Sequence, residues 1–395
     1  MTATVDSRAA AGPRLMRQLN ERLLLERLRG GGALARSELA AASGLSKPTV
    51  ALALAGLERD GLAQHAGRRA GARGRTALLY ELRGDAGFVL GLDVGREFVR
   101  GAVADLTGAV HARESRRSRS SSGSGRVREV AALGDALLGA AGVRRGAPVL
   151  QTVIGTPGVV APGGGTLTMA PNLPGWERPT VLRELRRLLG DDVTIENDVD
   201  VAAVAERDRG HGHDVSTFAF VSVGTGIGMG LVLDGKLHRG AHGAAGEIAF
   251  LPLDGHSGDS SDLRRRGALE SAASSAAIVR AARETGTRLQ SARAVFAAAA
   301  AGDPQAQRIV AREAEIVAHA LASIVAVVDP ELIVLGGGIG TAPGFADAVA
   351  ERLALVAPVV PAVRPSALGD EAVVDGCLAV GGDVLWERVL ASRAA

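Results

Sequence analysis

The residues of this chain best suited to binding chemistry are three glycine-rich turns, each directly after a strand-like run. They are Asp93-Val94-Gly95, Gly224-Thr225-Gly226-Ile227-Gly228 and Gly336-Gly337-Gly338. Without a Cβ, the backbone N–H groups of such turns can approach phosphate or sugar oxygens. A different chemistry lies near the amino terminus, where Arg36 to Val50 read R-S-E-L-A-A-A-S-G-L-S-K-P-T-V. Gly44 permits a tight turn there. Ser46, Lys47 and Thr49 open a helix whose first residues would reach base edges in a DNA major groove, with basic side chains such as Arg36 neutralising phosphates. Arg73, Gly74 and Arg75 form the tip of a basic loop that would reach a neighbouring minor groove.

The elements that must position these residues follow from periodicity. Leu15, Leu19, Leu23, Leu24 and Leu28 recur at helical spacing from Arg14 to Arg29, and Gly30-Gly31-Gly32 ends that helix. A short helix fits 37–42. Ser46 can cap a third helix, where Pro48 is tolerated because first-turn N–H groups have no helical acceptor. Val50, Leu54 and Leu57 form its buried stripe, leaving Lys47 and Thr49 outward. Two strands, 62–65 and 78–82, flank the Arg-rich loop. A plain helical bundle would explain any one of these features; turn, cap, stripe, wing and charge together predict a winged helix-turn-helix.

From Phe88 onward strand and helix patterns interleave, which predicts an α/β body. Strands fit 88–95, 99–106, 150–154, 193–195, 218–223, 230–233 and 332–335. Helices fit 129–141, 179–189, 198–208, 268–283, 303–328 and 344–355. The Ser-, Arg- and Gly-rich stretch 113–128 reads as a solvated loop.

Bulk properties agree. A chain of 395 residues with 47% hydrophobic content can bury the cores of two or three domains. Residues 1–85 carry 14 basic and 8 acidic side chains, a surplus of six, while the whole chain is only +2. A basic head on an acidic body points to a polyanionic partner. Cys377 is the only cysteine, which excludes an internal disulfide and any site built on several thiolates. No basic-then-apolar segment opens the chain, and 316–328 is too short to span a bilayer, so the expected location is the cytoplasm.

The chain after about residue 14 resembles the ROK family of repressors, open reading frames and kinases. The resemblance is carried by Gly155-Thr156-Pro157-Gly158, Asn172-Leu173-Pro174-Gly175-Trp176, Glu196-Asn197-Asp198, the long run from Gly224 to Glu247, and Asp329 to Gly338. It implies a two-lobed actin-like (ribonuclease H-like) sugar-kinase body with a sugar site in the cleft. The winged helix adds a likeness to the family's xylose and N-acetylglucosamine repressor branch. By that resemblance Asp198 stands at the position of the kinases' general base, while Asn172, Asn197, Glu247 and Glu270 match sugar-contacting positions. The three glycine turns match two phosphate loops and an adenosine loop. The implied organisation is a flexible tail over 1–13, the winged helix over 14–84, and a first lobe over 86–196 completed by a C-terminal helix over 378–395. A second lobe over 197–377 would carry effector binding and dimerisation.

Three departures from the family pattern decide the functional expectation. Its kinases read Asp-x-Gly-Gly-Thr in the first phosphate loop, where this chain reads Asp93-Val94-Gly95-Arg96-Glu97. A bulky guanidinium and a carboxylate oppose the close approach of a nucleotide's phosphates. The His that touches sugar and ligates zinc is replaced by Phe250. The three cysteines expected shortly after it are missing, and His256 alone reads as a loop residue. The expectation is therefore a transcriptional repressor with no metal and no other cofactor, ATP binding being impaired. Its partners would be a roughly palindromic double-stranded operator, a sugar effector and a second copy of itself, as a dimer or tetramer. The alternative is a sugar kinase with a DNA-binding head.

Overall fold

The computed structural model describes residues 12–70, 76–143, 150–161, 167–170, 172–253 and 261–391. Most of the expected tail and the whole of Arg73-Gly74-Arg75 lie outside the described residues.

The amino-terminal head contains α1 (Pro13–Gly31), β1 (Leu34–Ala35), α2 (Arg36–Ser43), α3 (Lys47–Arg59), β2 (Ala63–Ala70) and β3 (Thr76–Leu82). Its strands form an antiparallel sheet in the order β1-β3-β2. Gly44, at φ 71°, caps α2 in the left-handed region, and α3 leaves at 110° to α2. Ser46 caps α3 by accepting from the Thr49 N–H at 3.3 Å, and Val50, Leu54 and Leu57 are buried. The expected stripe of α1 is only partly right. Leu15 and Leu19 are about half exposed, and the inward face is Glu21, Leu24, Leu25 and Leu28. The helix turns this way because the Arg17–Glu21 ion pair lies across Gly56 of α3, where no side chain stands in the way.

The body is built on two five-stranded sheets of one topology. The first comprises β4 (Phe88–Val94), β5 (Phe98–Asp105), β6 (Val110–Arg117), β7 (Leu150–Thr156) and β10 (Val193–Asn197), in the order β10-β7-β4-β5-β6; β8 (Val159–Val160) and β9 (Leu167–Thr168) make a separate small hairpin. The second comprises β11 (Phe218–Val223), β12 (Ile227–Leu233), β13 (Lys236–Leu237), β14 (Leu332–Gly336) and β15 (Ala362–Pro365), in the order β13-β12-β11-β14-β15. In each, three antiparallel strands are followed by two parallel ones. The central strands read as continuous apolar runs because helices cover both faces.

Helices α4 (Gly123–Ala140) and α5 (Pro179–Leu189) pack on the first sheet through Leu133, Leu137 and Leu185. The second lobe carries α7 (Ser261–Arg266), α8 (Ala268–Ala272), α9 (Ser275–Glu284), α10 (Ala292–Ala300), α11 (Pro304–Val328), α12 (Gly337–Gly340) and α13 (Phe345–Val356). Between the lobes lies α6 (Asp198–Arg209), packed on β11 and β12 and also on α14 (Ala372–Ala391), which returns to β4 and β7 of the first lobe.

The region 113–128 is not a loop: β6 runs to Arg117 and α4 begins at Gly123. Its polar composition suits an edge strand, on which Arg113 pairs with Glu371 and Asp375, and a helix start capped by Ser122. The single helix expected over 268–283 is two, and the last helix begins six residues before the expected 378. Among the described residues no single helix is long and apolar enough to cross a membrane.

Helices α6 and α14 meet backbone to backbone. A Cβ at Gly376 would collide with the Val201 carbonyl, whereas one at Gly382, on the same helix, meets nothing within 4 Å. In urea unfolding, Gly376→Ala is expected to cost about 1–3 kcal/mol by overpacking, and Gly382→Ala to gain about 0.5–1 kcal/mol from helix propensity. Equal effects of the two substitutions would contradict the contact.

Candidate functional site

A cleft of about 390 Å³ opens between the two sheets. It brings together residues from the ends of β4, β10, β11 and β14, although they lie up to hundreds of positions apart in the chain. Asn172, Asn197, Asp198, Glu247 and Glu270 all line it, as do Gly95, Gly224, Thr225, Gly226, Gly337 and Gly338. Asp93 and Gly336 do not. Gly336 ends β14 against the ring of Phe220, and Asp93 is buried behind the wall.

Each lining side chain is held by local structure. The Asn197 carbonyl oxygen accepts from the Val199 and Asp200 N–H groups at 2.9 and 3.0 Å and so caps α6; its amide donates to the Gly158 carbonyl at 3.0 Å. Asn197 therefore fixes the loop geometry more than it offers itself to a ligand. Asp198, the first residue of α6, accepts from the Val199 N–H at 2.9 Å and is half-buried at the cleft wall. Burial, and then the neighbouring Glu247 carboxylate, push its pKa up to about 6. Glu247 is raised as well, by burial and by Glu270. Glu270 is buried on α8, accepts from the Ile227 N–H at 3.2 Å and lies 3.7 Å from the Arg266 guanidinium, which also reaches Asn172 at 3.5 Å.

The first glycine turn carries large side chains where a bare backbone would let phosphates approach closely. Arg96 and Glu97 stand exposed on the cleft wall. The Asp93 carboxylate is ion-paired at 3.0 Å with Arg100, its cross-strand partner in the β4–β5 hairpin. Burial pushes the Asp93 pKa up to about 7, against the pull of Arg100. A metal–nucleotide complex would have to displace that guanidinium. The loop is also clamped from behind. Buried Arg126 donates to the carbonyls of Gly95 at 2.6 Å, Arg96 at 3.3 Å and Ser120 at 2.9 Å.

Among the described residues no group of three or more His, Cys, Asp or Glu side chains could hold a metal ion. Phe250, which offers no ligand atom, lies on the cleft wall, and Cys377 is buried on α14 with its sulfur 3.5 Å from the Leu92 carbonyl. His256 lies outside the described residues.

In the head, Lys47 is exposed at the first turn of α3, and no ion pair holds it among the described residues. Ser46 and Thr49 share a hydroxyl contact at 2.8 Å. Arg36 is engaged inside the head: its guanidinium donates to the Tyr80 hydroxyl and lies 5.1 Å from the ring centre. Arg69 of β2 pairs with Glu38 of α2, tying the β2–β3 hairpin to that helix, while the neighbouring Arg68 is exposed.

Sequence reasoning missed Arg100, Arg126, Arg265 and Arg266. The hairpin register could have found the Asp93–Arg100 pair, because a two-stranded antiparallel match places them opposite each other. Nothing local marks the other three.

The sequence pattern that defines the ROK family matches residues 89–382. The chain is 25% identical over 390 residues to the xylose repressor of Caldicellulosiruptor bescii, covering 93% of this chain and 96% of that protein. It is 42% identical over 147 residues to the bifunctional enzyme NanE/NanK of Brucella melitensis biotype 1, covering 37% of this chain. That match spans only 27% of the enzyme's length. Among solved structures, a ROK family transcriptional regulator described as a homolog of the E. coli MLC protein superposes with a TM-score of 0.74 at 23% identity, covering 96% of this chain and 98% of that one. At that identity the likeness shows the fold alone.

The raised pKa of Asp198 carries a stability consequence. A carboxyl that holds its proton more tightly when folded contributes stability below its unfolded value and loses it as pH rises through about 6. Asp198→Asn is therefore expected to raise the thermal midpoint at pH 8, less at pH 5, and to converge with the parent chain only below the unfolded value of 3.8. An unchanged difference at both values would contradict the assignment.

Proposed function

The chain belongs to the ROK family, and from that premise we propose that it is a sequence-specific DNA-binding transcriptional repressor. In this reading its kinase-like body senses a sugar or sugar-derived effector without phosphorylating it efficiently. The observation that carries the reading is the head. Helix α3 offers a capped, exposed amino end with Lys47 outward, while its opposite face is locked into a core continuous with α14 of the body. That is the arrangement a recognition helix needs: a rigid back and a reachable, basic front. The match to the xylose repressor along nearly the whole chain supports it.

Effector hydroxyls would donate to Asp198 and Glu247, with Asn197 fixing the start of α6 against the Gly158 carbonyl and Phe250 giving an apolar wall. A homodimer would set two heads one helical turn apart on a roughly palindromic operator. The effector acts through differential affinity for two lobe arrangements, since a ligand that binds both equally shifts nothing. The protein would work in the cytoplasm, without zinc.

A second reading, a sugar kinase with a DNA-binding head, draws on Asp198 at the cleft wall and on the Gly224-Thr225-Gly226 turn. The Asp93–Arg100 pair and the Arg96-Glu97 dipeptide oppose it.

In gel shifts on DNA upstream of its own gene, the chain is expected to bind selectively. Lys47→Ala is expected to weaken binding and to lower the salt-dependence slope by about one. A coupled ADP-release assay across common hexoses is expected to stay at background. Turnover that Asp198→Asn abolishes, or the absence of any selective shift, would overturn the proposal.

A further inference from the structure

A surface helix ordinarily keeps charged and polar side chains on its solvent side. Helix α3 does not. Beyond its first turn that side is Ala51, Leu52 and Ala55, none of them buried. Leu52 is 61% exposed, whereas Leu54 and Leu57 of the same helix are fully buried. A single exposed leucine is common on protein surfaces. This one lies in the middle of the face that α3 turns away from the core of the head, and the polar groups near it are engaged. The Ser46 and Thr49 hydroxyls hold each other at 2.8 Å, Glu58 lies 2.8 Å from the His65 ring nitrogen, and Arg59 pairs with Asp60 at 3.1 Å. Arg36 is held by Tyr80.

Base-pair edges in a major groove offer hydrogen-bond acceptors, amino donors and one apolar group, the methyl of thymine. Arginine, asparagine and glutamine read the polar edges through paired hydrogen bonds. From residue 45 to 58 the chain has none of these three. It has instead a branched apolar side chain, set between two alanines small enough to let the helix backbone come close to the base edges.

We propose that Leu52 is a specificity-determining residue that reads a thymine methyl group in each half of the operator. This deepens the repressor reading and rests on it. Discrimination arises in two ways. Leucine and methyl group shield each other from water, which is favourable. Any other base at that position would set a polar edge against leucine and lose its hydrogen bonds to water without replacing them. Lys47, nearer the amino end, contacts phosphate and adds affinity without choosing sequence.

The test uses the full chain and the site that it selects from a random DNA pool. Each thymine of that site is replaced in turn by deoxyuridine, which keeps every hydrogen-bonding group and lacks only the methyl. At one thymine per half-site the replacement is expected to weaken binding by about fourfold, the factor that burial of one methyl group implies. Leu52→Ala and Leu52→Gln, both at an exposed helix position, are expected to keep the parent's urea midpoint, to bind thymine DNA more weakly, and to bind thymine and uracil at that position equally. Lys47→Ala is expected to weaken binding to both and to keep the ratio. The uracil comparison is made in the parent chain, so a poorly folded variant cannot conceal the outcome. Indifference of the parent chain to every uracil replacement, or a uracil effect that survives undiminished in both Leu52 variants, would overturn the proposal. Selective DNA binding that ignores uracil removes only this inference; absence of selective binding removes the repressor reading, and this inference with it.

Discussion

Helix α14 can lie on α6 only because residue 376 has no side chain; any Cβ there would run into the Val201 carbonyl. Much follows from that contact. The amino end of α6 carries Asp198 and is capped by Asn197, so the position of the helix sets the position of the cleft carboxylate. The carboxy-terminal half of α14 contributes Leu385, Trp386, Val389 and Leu390 to the same apolar cluster as Leu24, Leu54 and Tyr80 of the head. Arg29 of α1 adds an ion pair with Asp383 at 2.9 Å and stacks 4.8 Å from the centre of the Trp386 ring. Cleft and head are thus attached to two helices that touch without intervening side chains. Such a close-packed joint favours discrete arrangements over gradual deformation.

The cleft itself is costly. Asp198 and Glu247 line one end, Asp200 is buried outside the cleft on the same helix as Asp198, and burial pushes all three carboxyls toward their protonated forms. Burying like charges near one another opposes folding unless protons or ligands relieve it. A polyol that donates hydroxyl protons relieves it directly. At the opposite end the arginines take the place of the bare backbone that a nucleotide-binding loop needs.

Much of the fold was legible before the structure. Gly44 and Ser46 marked the turn between α2 and α3, and the apolar run 88–94 ending in Asp93-Val94-Gly95 marked the first strand of the body. What failed did so for definable reasons. In α1, leucines at 15, 19, 23, 24, 25 and 28 support two helical faces, and only the Arg17–Glu21 pair over Gly56 selects one. In 113–128, an edge strand and a helix start are both polar, so hydrophobic periodicity had nothing to register; the buried group that anchors the region, Arg126, is charged. In α10, the run Phe296 to Ala300 has no polar contrast to reveal its face. The candidate site was legible where short motifs supply it, as at Asn197-Asp198 and Glu247. It was illegible at Arg265 and Arg266, which reach the cleft only because the second lobe folds them there.

In the proposed function, cleft occupancy is coupled to DNA engagement through α6 and α14. Coupling of this kind is reciprocal: whatever factor the effector imposes on DNA affinity, DNA must impose on effector affinity. The most direct measurement is therefore calorimetric titration of the tightest-binding sugar or sugar phosphate into the full chain, alone and saturated with its selected DNA. Such coupling predicts affinities that differ by about 5- to 150-fold between the two, matching the shift in DNA affinity that the same ligand causes. Identical affinity on and off DNA would contradict it.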